Sequence, residues 1–76
     1  MNLDSIQEVF KDVFRNSELE IKSSMTANDI DGWDSITHMK LIGAIEEKFQ
    51  TDFSYKEVMS LKNIGDLIEL VKSKQQ

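Results

Sequence analysis

The sequence predicts a small all-α protein: a bundle of three main helices and one short helix, with a long loop between the first and second helices. Apolar residues recur at spacings of three and four along three segments, which is the period of an amphipathic helix. No segment sustains the apolar/polar alternation of a half-buried strand. The chain of 76 residues contains no Pro and only three Gly, and its length predicts one domain over residues 1–76.

The first predicted helix covers Leu3–Phe14. Its apolar residues share one face, and they are Leu3, Ile6, Val9, Phe10, Val13 and Phe14. The opposite face is polar, and Arg15 and Asn16 are suited to a helix end.

Residues 17–34 predict a long loop, because this stretch is rich in Ser, Thr, Asn and Asp and has Gly32 near its end. Its apolar residues are too irregularly spaced for a helix face. We expect them to pin the loop onto the core, and they are Leu19, Ile21, Met25 and Ile30. A loop of this length in so small a domain is uncommon and often functional.

The second predicted helix covers Ser35–Phe49, and Asp34 and Ser35 are both residue types that cap a helix N-terminus. Its predicted apolar stripe is Ile36, Met39, Ile42, Ile45 and Phe49, with Leu41 and Ala44 beside it. Two helical pieces follow. Ser54 and Glu57 form a capping-box pattern before the short helix, and Asn63 and Asp66 form a weaker one before the last. The stripe of the last helix is Ile64, Leu67, Ile68 and Val71.

Composition narrows the function classes. The formal net charge is -5, which disfavours binding to a nucleic-acid backbone and favours a basic protein partner. The chain has no Cys and one His, so a disulfide framework and a conventional zinc site are excluded. No stretch approaches the ~20 apolar residues of a membrane span. We expect a monomeric cytoplasmic protein.

The segment Gly32-Trp33-Asp34-Ser35-Ile36 leads from the long loop directly into the second helix. Here the chain resembles the acyl and peptidyl carrier protein family, whose signature is Asp-Ser-Leu or Asp-Ser-Ile at this position. The order of predicted elements also resembles that family over almost the whole chain. The resemblance implies an acyl-carrier-like bundle that carries cargo and is not an enzyme.

The resemblance further implies that 4'-phosphopantetheine is attached to Ser35 and that its thiol holds an acyl or aminoacyl group as a thioester. The implied partners are a phosphopantetheinyl transferase, a loading enzyme and a downstream acyltransferase or synthase. The transferase supplies magnesium and the base, while Asp34 helps to organise the encounter. A phosphodiester on Ser35 would lie near the positive end of the helix dipole and near free backbone N–H groups.

Trp33 and Ile36 join Asp34 and Ser35 as candidate residues of the cofactor site. Trp33 is interpreted as an anchor of the loop, with contact to the transferase or the arm as the alternative. The candidate partner-binding residues are Thr37, His38, Lys40, Glu46 and Glu47. His38 is expected to face solvent or a partner. Met25, Met39 and Met59 are interpreted as adaptable core fillers, which a long acyl chain could displace.

Other functions fit these residues less well than a carrier function does. Asp29, Asp31 and Asp34 do not fit the calcium-binding loop of an EF-hand. Counted from Asp29, position six is Asp34 instead of Gly and position twelve is Lys40 instead of Glu, so no metal site is predicted. A hydrolase using Ser35 lacks an oxyanion loop and a charge-relay partner. An unmodified helical interaction module remains the alternative function. Lys40 and Lys48 distinguish the second helix from the strongly acidic one of fatty acid synthesis carriers, which favours a specialised pathway.

Overall fold

A computed structural model describes residues 3–75, with Leu3 described by its backbone alone. Four α-helices follow one another: α1 Leu3–Phe14, α2 Ser35–Phe49, α3 Tyr55–Met59 and α4 Ile64–Lys74. The described residues form no strand. The predicted all-α fold, the long loop and the bounds of the first two helices are confirmed. The predicted place of the Leu3 side chain lies outside the described residues.

One apolar core joins the helices and the loop. Its largest fully buried side chains are Phe10, Ile6, Leu41, Ile45, Ile64, Leu67 and Val71. α1 packs directly against α2. Burial of each such side chain contributes about 1.5–3 kcal/mol, which gives a domain of this size most of its stabilisation.

The loop is tied down as the sequence predicts, since Ile21 and Ile30 are buried in the core and Leu19 and Met25 pack against it. Its backbone also caps α4. The carbonyl oxygens of Met25 and Ser23 accept hydrogen bonds from the N–H groups of Ile64 and Gly65, at 2.9 and 2.8 Å. A 3₁₀ helix at Ala27–Asp29 was not predicted; Thr26 and Asp29 cap it reciprocally.

Caps predicted from the sequence are present at α3 and α4. The Ser54 side chain accepts from the Glu57 N–H, and the Glu57 carboxylate accepts from the Ser54 N–H. Glu57 also pairs with Lys74 at 3.0 Å, which ties the start of α3 to the end of α4. At α4, the Asn63 side chain accepts from the Asp66 N–H at 2.8 Å. Local polar contacts therefore set where α3 and α4 begin, while Val58, Ile64, Leu67 and Val71 pack both helices into the core.

The predicted stripe of α2 is wrong at its N-terminal end. Ile36 and Met39 are 67% and 52% exposed, whereas Leu41, placed beside the stripe, is fully buried. Met59 is also 60% exposed, so the interpretation of Met39 and Met59 as core fillers is wrong. Periodicity identifies an apolar face but does not say which neighbouring element covers it.

Candidate functional site

The N-terminus of α2 begins at Ser35, and Asp34 is its N-cap. Oδ1 of Asp34 accepts hydrogen bonds from the N–H groups of Ile36 and Thr37, each at 2.9 Å. The bond from the Thr37 backbone N–H is the main cause that lowers the pKa of the Asp34 carboxyl, and the Ile36 N–H adds to it. The carboxylate form therefore holds the first turn of α2 in place.

Thr37 completes the cap from the other side. Its hydroxyl oxygen accepts from the Asp34 N–H at 2.8 Å and donates to the Gly32 carbonyl at 2.6 Å. Gly32 has a φ of 85°, in the left-handed region that favours glycine, and this turn leads the loop into the helix. Thr37, a candidate partner-binding residue from the sequence, is half-buried, and its hydroxyl is engaged in this cap.

Ser35 is exposed at the first position of the helix. The hydrogen bonds of Asp34 and Thr37 fix the backbone from which its side chain projects, and that side chain is accessible to solvent. The expectation of free N–H groups beside a phosphodiester needs correction, because Asp34 takes those of Ile36 and Thr37. The helix dipole remains as the favourable contribution toward a phosphate at this end of α2.

An open apolar cleft of about 560 Å³ lies beside Ser35. Residues of α2, α3 and the loop line it, and they include Ala27, Met39, Tyr55, Val58, Met59 and Leu61. Tyr55 is 75% exposed, so its ring stands at the mouth of the cleft. An apolar or amphipathic chain attached covalently to Ser35 could therefore pack against the apolar residues that line this cleft.

Trp33 anchors the loop to α1. Its ring lies 5.6 Å from that of Phe10, edge to face, and 5.7 Å from that of Phe14. Such aromatic pairs contribute about 0.5–1.5 kcal/mol each beyond the area that they bury. The same ring lines the cleft beside Ser35, so the anchor also positions one wall of the site.

His38 stacks on Trp33 and is half-buried, so it does not simply face solvent, and its contact with a partner stays a prediction. Trp33 Nε1–H donates to His38 Nδ1 at 3.1 Å, and His38 Nε2 lies 3.3 Å from the Val58 carbonyl oxygen. Because both ring nitrogens are engaged, His38 has no lone pair available to activate the Ser35 hydroxyl. Sequence reasoning missed this arrangement, because Trp33 precedes α2 and a spacing of five residues does not place two side chains on one helix face.

The remaining candidate partner residues differ in their surroundings. Glu46 is half-buried and accepts from the Phe53 N–H at 2.9 Å, which fixes the turn after α2. Lys40 and Glu47 are exposed. The sequence analysis did not single out Tyr55, and it interpreted Met59 as a core filler, because a helix of five residues is too short to show a periodic face.

Comparison with known proteins agrees with this geometry. The family model described as "Phosphopantetheine attachment site" matches residues 4–71. A solved structure of the holo acyl carrier protein from Geobacter metallireducens is 40% identical, with a TM-score of 0.89, over 95% of this chain and 83% of that one. The chain belongs to the acyl carrier protein family. The resemblance noted in the sequence is confirmed.

Other proteins similar to this chain include both acyl carrier proteins and a polyketide synthase. The acyl carrier protein of Clostridium perfringens is 29% identical over 68 residues, 90% of each chain. The non-reducing polyketide synthase mapC of Penicillium brevicompactum is 32% identical over 68 residues, 90% of this chain, and this chain spans 3% of that synthase's length. A putative acyl carrier protein from Mycobacterium tuberculosis shares the fold, with a TM-score of 0.83 over 92% of this chain and 93% of that one, at 23% identity.

Membership of the family establishes the class of function. Acyl carrier proteins are carriers and not catalysts, and they hold 4'-phosphopantetheine covalently. Among residues 3–75, no cluster of three or more His, Asp or Glu side chains is arranged to hold a metal ion. No helix in that part of the chain is both long and apolar enough to cross a membrane.

Proposed function

We propose that Ser35 is the residue to which 4'-phosphopantetheine is attached, and that residues 1–76 act as one carrier domain for acyl or aminoacyl thioesters. The observation that carries the proposal is the exposed Ser35 hydroxyl at the first position of α2, beside the apolar cleft. The cap formed by Asp34 and Thr37 holds this hydroxyl in one place. Asp34, Trp33 and Ile36 surround the attachment point.

The chemistry divides between the carrier and its partner. In the transfer, Ser35 Oγ bonds to the phosphorus of the phosphopantetheine phosphate, its proton leaves to a base, and adenosine 3',5'-bisphosphate departs from coenzyme A. Neither ring nitrogen of His38 is available as that base, since each faces a hydrogen-bond partner. The transferase therefore supplies the base and the magnesium ion. Once attached, the arm supplies a thiol that binds cargo as a thioester.

Intact mass spectrometry tests the attachment site. The protein is incubated with coenzyme A, magnesium and a promiscuous phosphopantetheinyl transferase, beside the variants Ser35→Ala and Ser17→Ala. Ser17 is exposed like Ser35 but lies in the loop after α1. We expect wild-type and Ser17→Ala protein to gain one phosphopantetheine and Ser35→Ala to gain none. Modification of folded Ser35→Ala protein would overturn the assignment.

We also propose that this carrier serves a specialised pathway and not central fatty acid synthesis. The exposed face of α2 supports this, since it combines Ile36 and Met39 with Lys40 and Glu47 and is not uniformly acidic. Glu46 is half-buried and accepts a hydrogen bond from the Phe53 N–H, so its carboxylate is less available to a partner than that of the exposed Glu47. A lysine at the rim slows encounter with a basic partner surface.

Charge reversal at Lys40 tests the pathway proposal. We expect holo wild-type protein to be a poor substrate for the malonyl transferase of bacterial fatty acid synthesis, and Lys40→Glu to raise kcat/KM by about tenfold at low salt. Lys22→Glu is the matched control, because Lys22 is exposed on the loop away from α2. Efficient loading of wild-type protein, or an equal gain in both variants, would contradict the proposal.

A further inference from the structure

The cleft beside Ser35 ends at a wall with a second cavity behind it. This second cavity is small, about 70 Å³; it reaches the core residue Leu67, and the exposed Lys62 also lines it. Four residues line both spaces: Ala27, Trp33, His38 and Leu61. These shared residues form the partition between the open cleft and the core.

His38 is the member of the partition that is held by polar contacts at both of its ring nitrogens. The indole N–H of Trp33 is only a donor and the Val58 carbonyl is only an acceptor, so Nδ1 of His38 is the acceptor and Nε2 carries the proton. The ring thus links the loop, α2 and α3. Its stacking on Trp33, at 6.0 Å and 21° between ring planes, adds to that constraint.

Displacing the ring would be costly for an apolar cargo. An alkyl chain that pushed between Trp33 and His38 would leave the indole N–H and the Val58 carbonyl without partners in an apolar setting. The walls of the cleft outside the partition are apolar and open, at Met39, Tyr55 and Met59. A chain can therefore lie in the cleft without breaking any hydrogen bond.

We propose that the Trp33–His38–Val58 bridge closes the inner end of the cleft and that His38 determines which cargo the carrier can shelter. The proposal rests on the attachment of the arm at Ser35. Short acyl and aminoacyl groups remain in the open cleft, and long alkyl chains are kept out of the core around Leu67. His38 thus acts as a specificity-determining residue and not as a catalytic one.

The test compares hexanoyl and dodecanoyl thioesters on wild-type and His38→Ala protein, both loaded from the acyl-coenzyme A by the transferase. Two quantities are measured: the rate at which hydroxylamine cleaves the thioester, by intact mass, and the NMR shifts of the Leu67 methyl groups. In wild-type protein we expect the two rates to agree within about twofold and the methyl shifts to be unchanged. In His38→Ala the dodecanoyl thioester should be cleaved about tenfold more slowly than the hexanoyl one, because burial of even two methylenes changes an equilibrium by about that factor.

Two further variants keep the test decisive. Trp33→Phe retains an aromatic anchor and removes the indole N–H, so we expect cleavage rates with an intermediate dependence on chain length. If His38→Ala does not fold, this variant serves as the test in its place. Lys72→Ala changes an exposed residue of α4 that lines neither space, and it should behave like wild type. Dodecanoyl protection in wild-type protein, or none in folded bridge variants, would overturn the inference. Failure of the protein to load at all would instead overturn the attachment at Ser35.

Discussion

The two faces of α2 have apolar side chains of similar size but opposite surroundings. Leu41 and Ile45 are fully buried, whereas Ile36 is 67% exposed and Met39 is 52% exposed. Leu41 comes only five residues after Ile36, yet their directions around the helix differ by about 140°. The first pair faces α1 and the rest of the core, whereas Ile36 directly follows Ser35 in the chain and Met39 lines the cleft.

The buried face of α2 therefore contributes to stability, and its exposed face is available for recognition. The buried face is covered by other parts of the same chain, so its side chains contribute to the free energy of unfolding. The exposed face leaves apolar surface near Ser35, the proposed attachment point, where a modifying enzyme and the cargo would both need access. Exposed apolar surface of this kind marks a contact site in a soluble domain. A carrier must keep such a surface uncovered while the core holds the hydroxyl in place.

Truncation of the buried face should have the largest effect. Leu41→Ala removes a side chain that is 0% exposed and leaves a cavity, so we expect a loss of about 2–5 kcal/mol in the free energy of unfolding. Urea unfolding followed by circular dichroism measures it. The matched control is Ile36→Ala on the exposed face, for which we expect a change within about 0.5 kcal/mol. Equal losses at the two positions would show that the faces are not divided as described.

Protonation of the Asp34 carboxylate should lower the free energy of unfolding by less than Leu41→Ala does. It weakens only the N-terminal end of α2 and therefore tests that end separately from the buried face. The pKa of Asp34 is lowered, chiefly by the Thr37 backbone N–H, so the ionised carboxyl favours the folded state. Its contribution is complete above the unfolded pKa of about 3.9 and is lost as the pH falls through the lower folded pKa. We expect the urea concentration at the unfolding midpoint to fall over that acidic range. Urea unfolding at a series of pH values measures this fall.

Asn is as good an N-cap as Asp but does not titrate, so Asp34→Asn provides the matched control. The variant should fold at neutral pH and show a shallower fall in midpoint on acidification. It will still show some fall, because the pKa of Glu57 is also lowered, by the Ser54 backbone N–H and by Lys74. Identical pH profiles for wild-type and Asp34→Asn protein would mean that the cap carboxylate does not stabilise α2.

Much of this protein could be predicted from the order of its residues. The 3.6-residue period located α1 and α2, and the capping pairs located the starts of α3 and α4, because these signals are local in the chain. The Asp34-Ser35-Ile36 motif indicated the carrier family for the same reason. The 3₁₀ helix at Ala27–Asp29 was missed, since a single turn shows no period.

The sequence by itself determined the helices, the long loop and the family, because period, caps and motif are properties of neighbouring residues. Only the tertiary structure decided which apolar side chains are covered, and it left Ile36 and Met39 exposed. It also decided that His38 bridges Trp33 and Val58. That contact joins residues separated by 20 positions, and it depends on where α3 packs against α2. Hydrogen bonds of this kind follow from the three-dimensional path of the chain and not from local pattern.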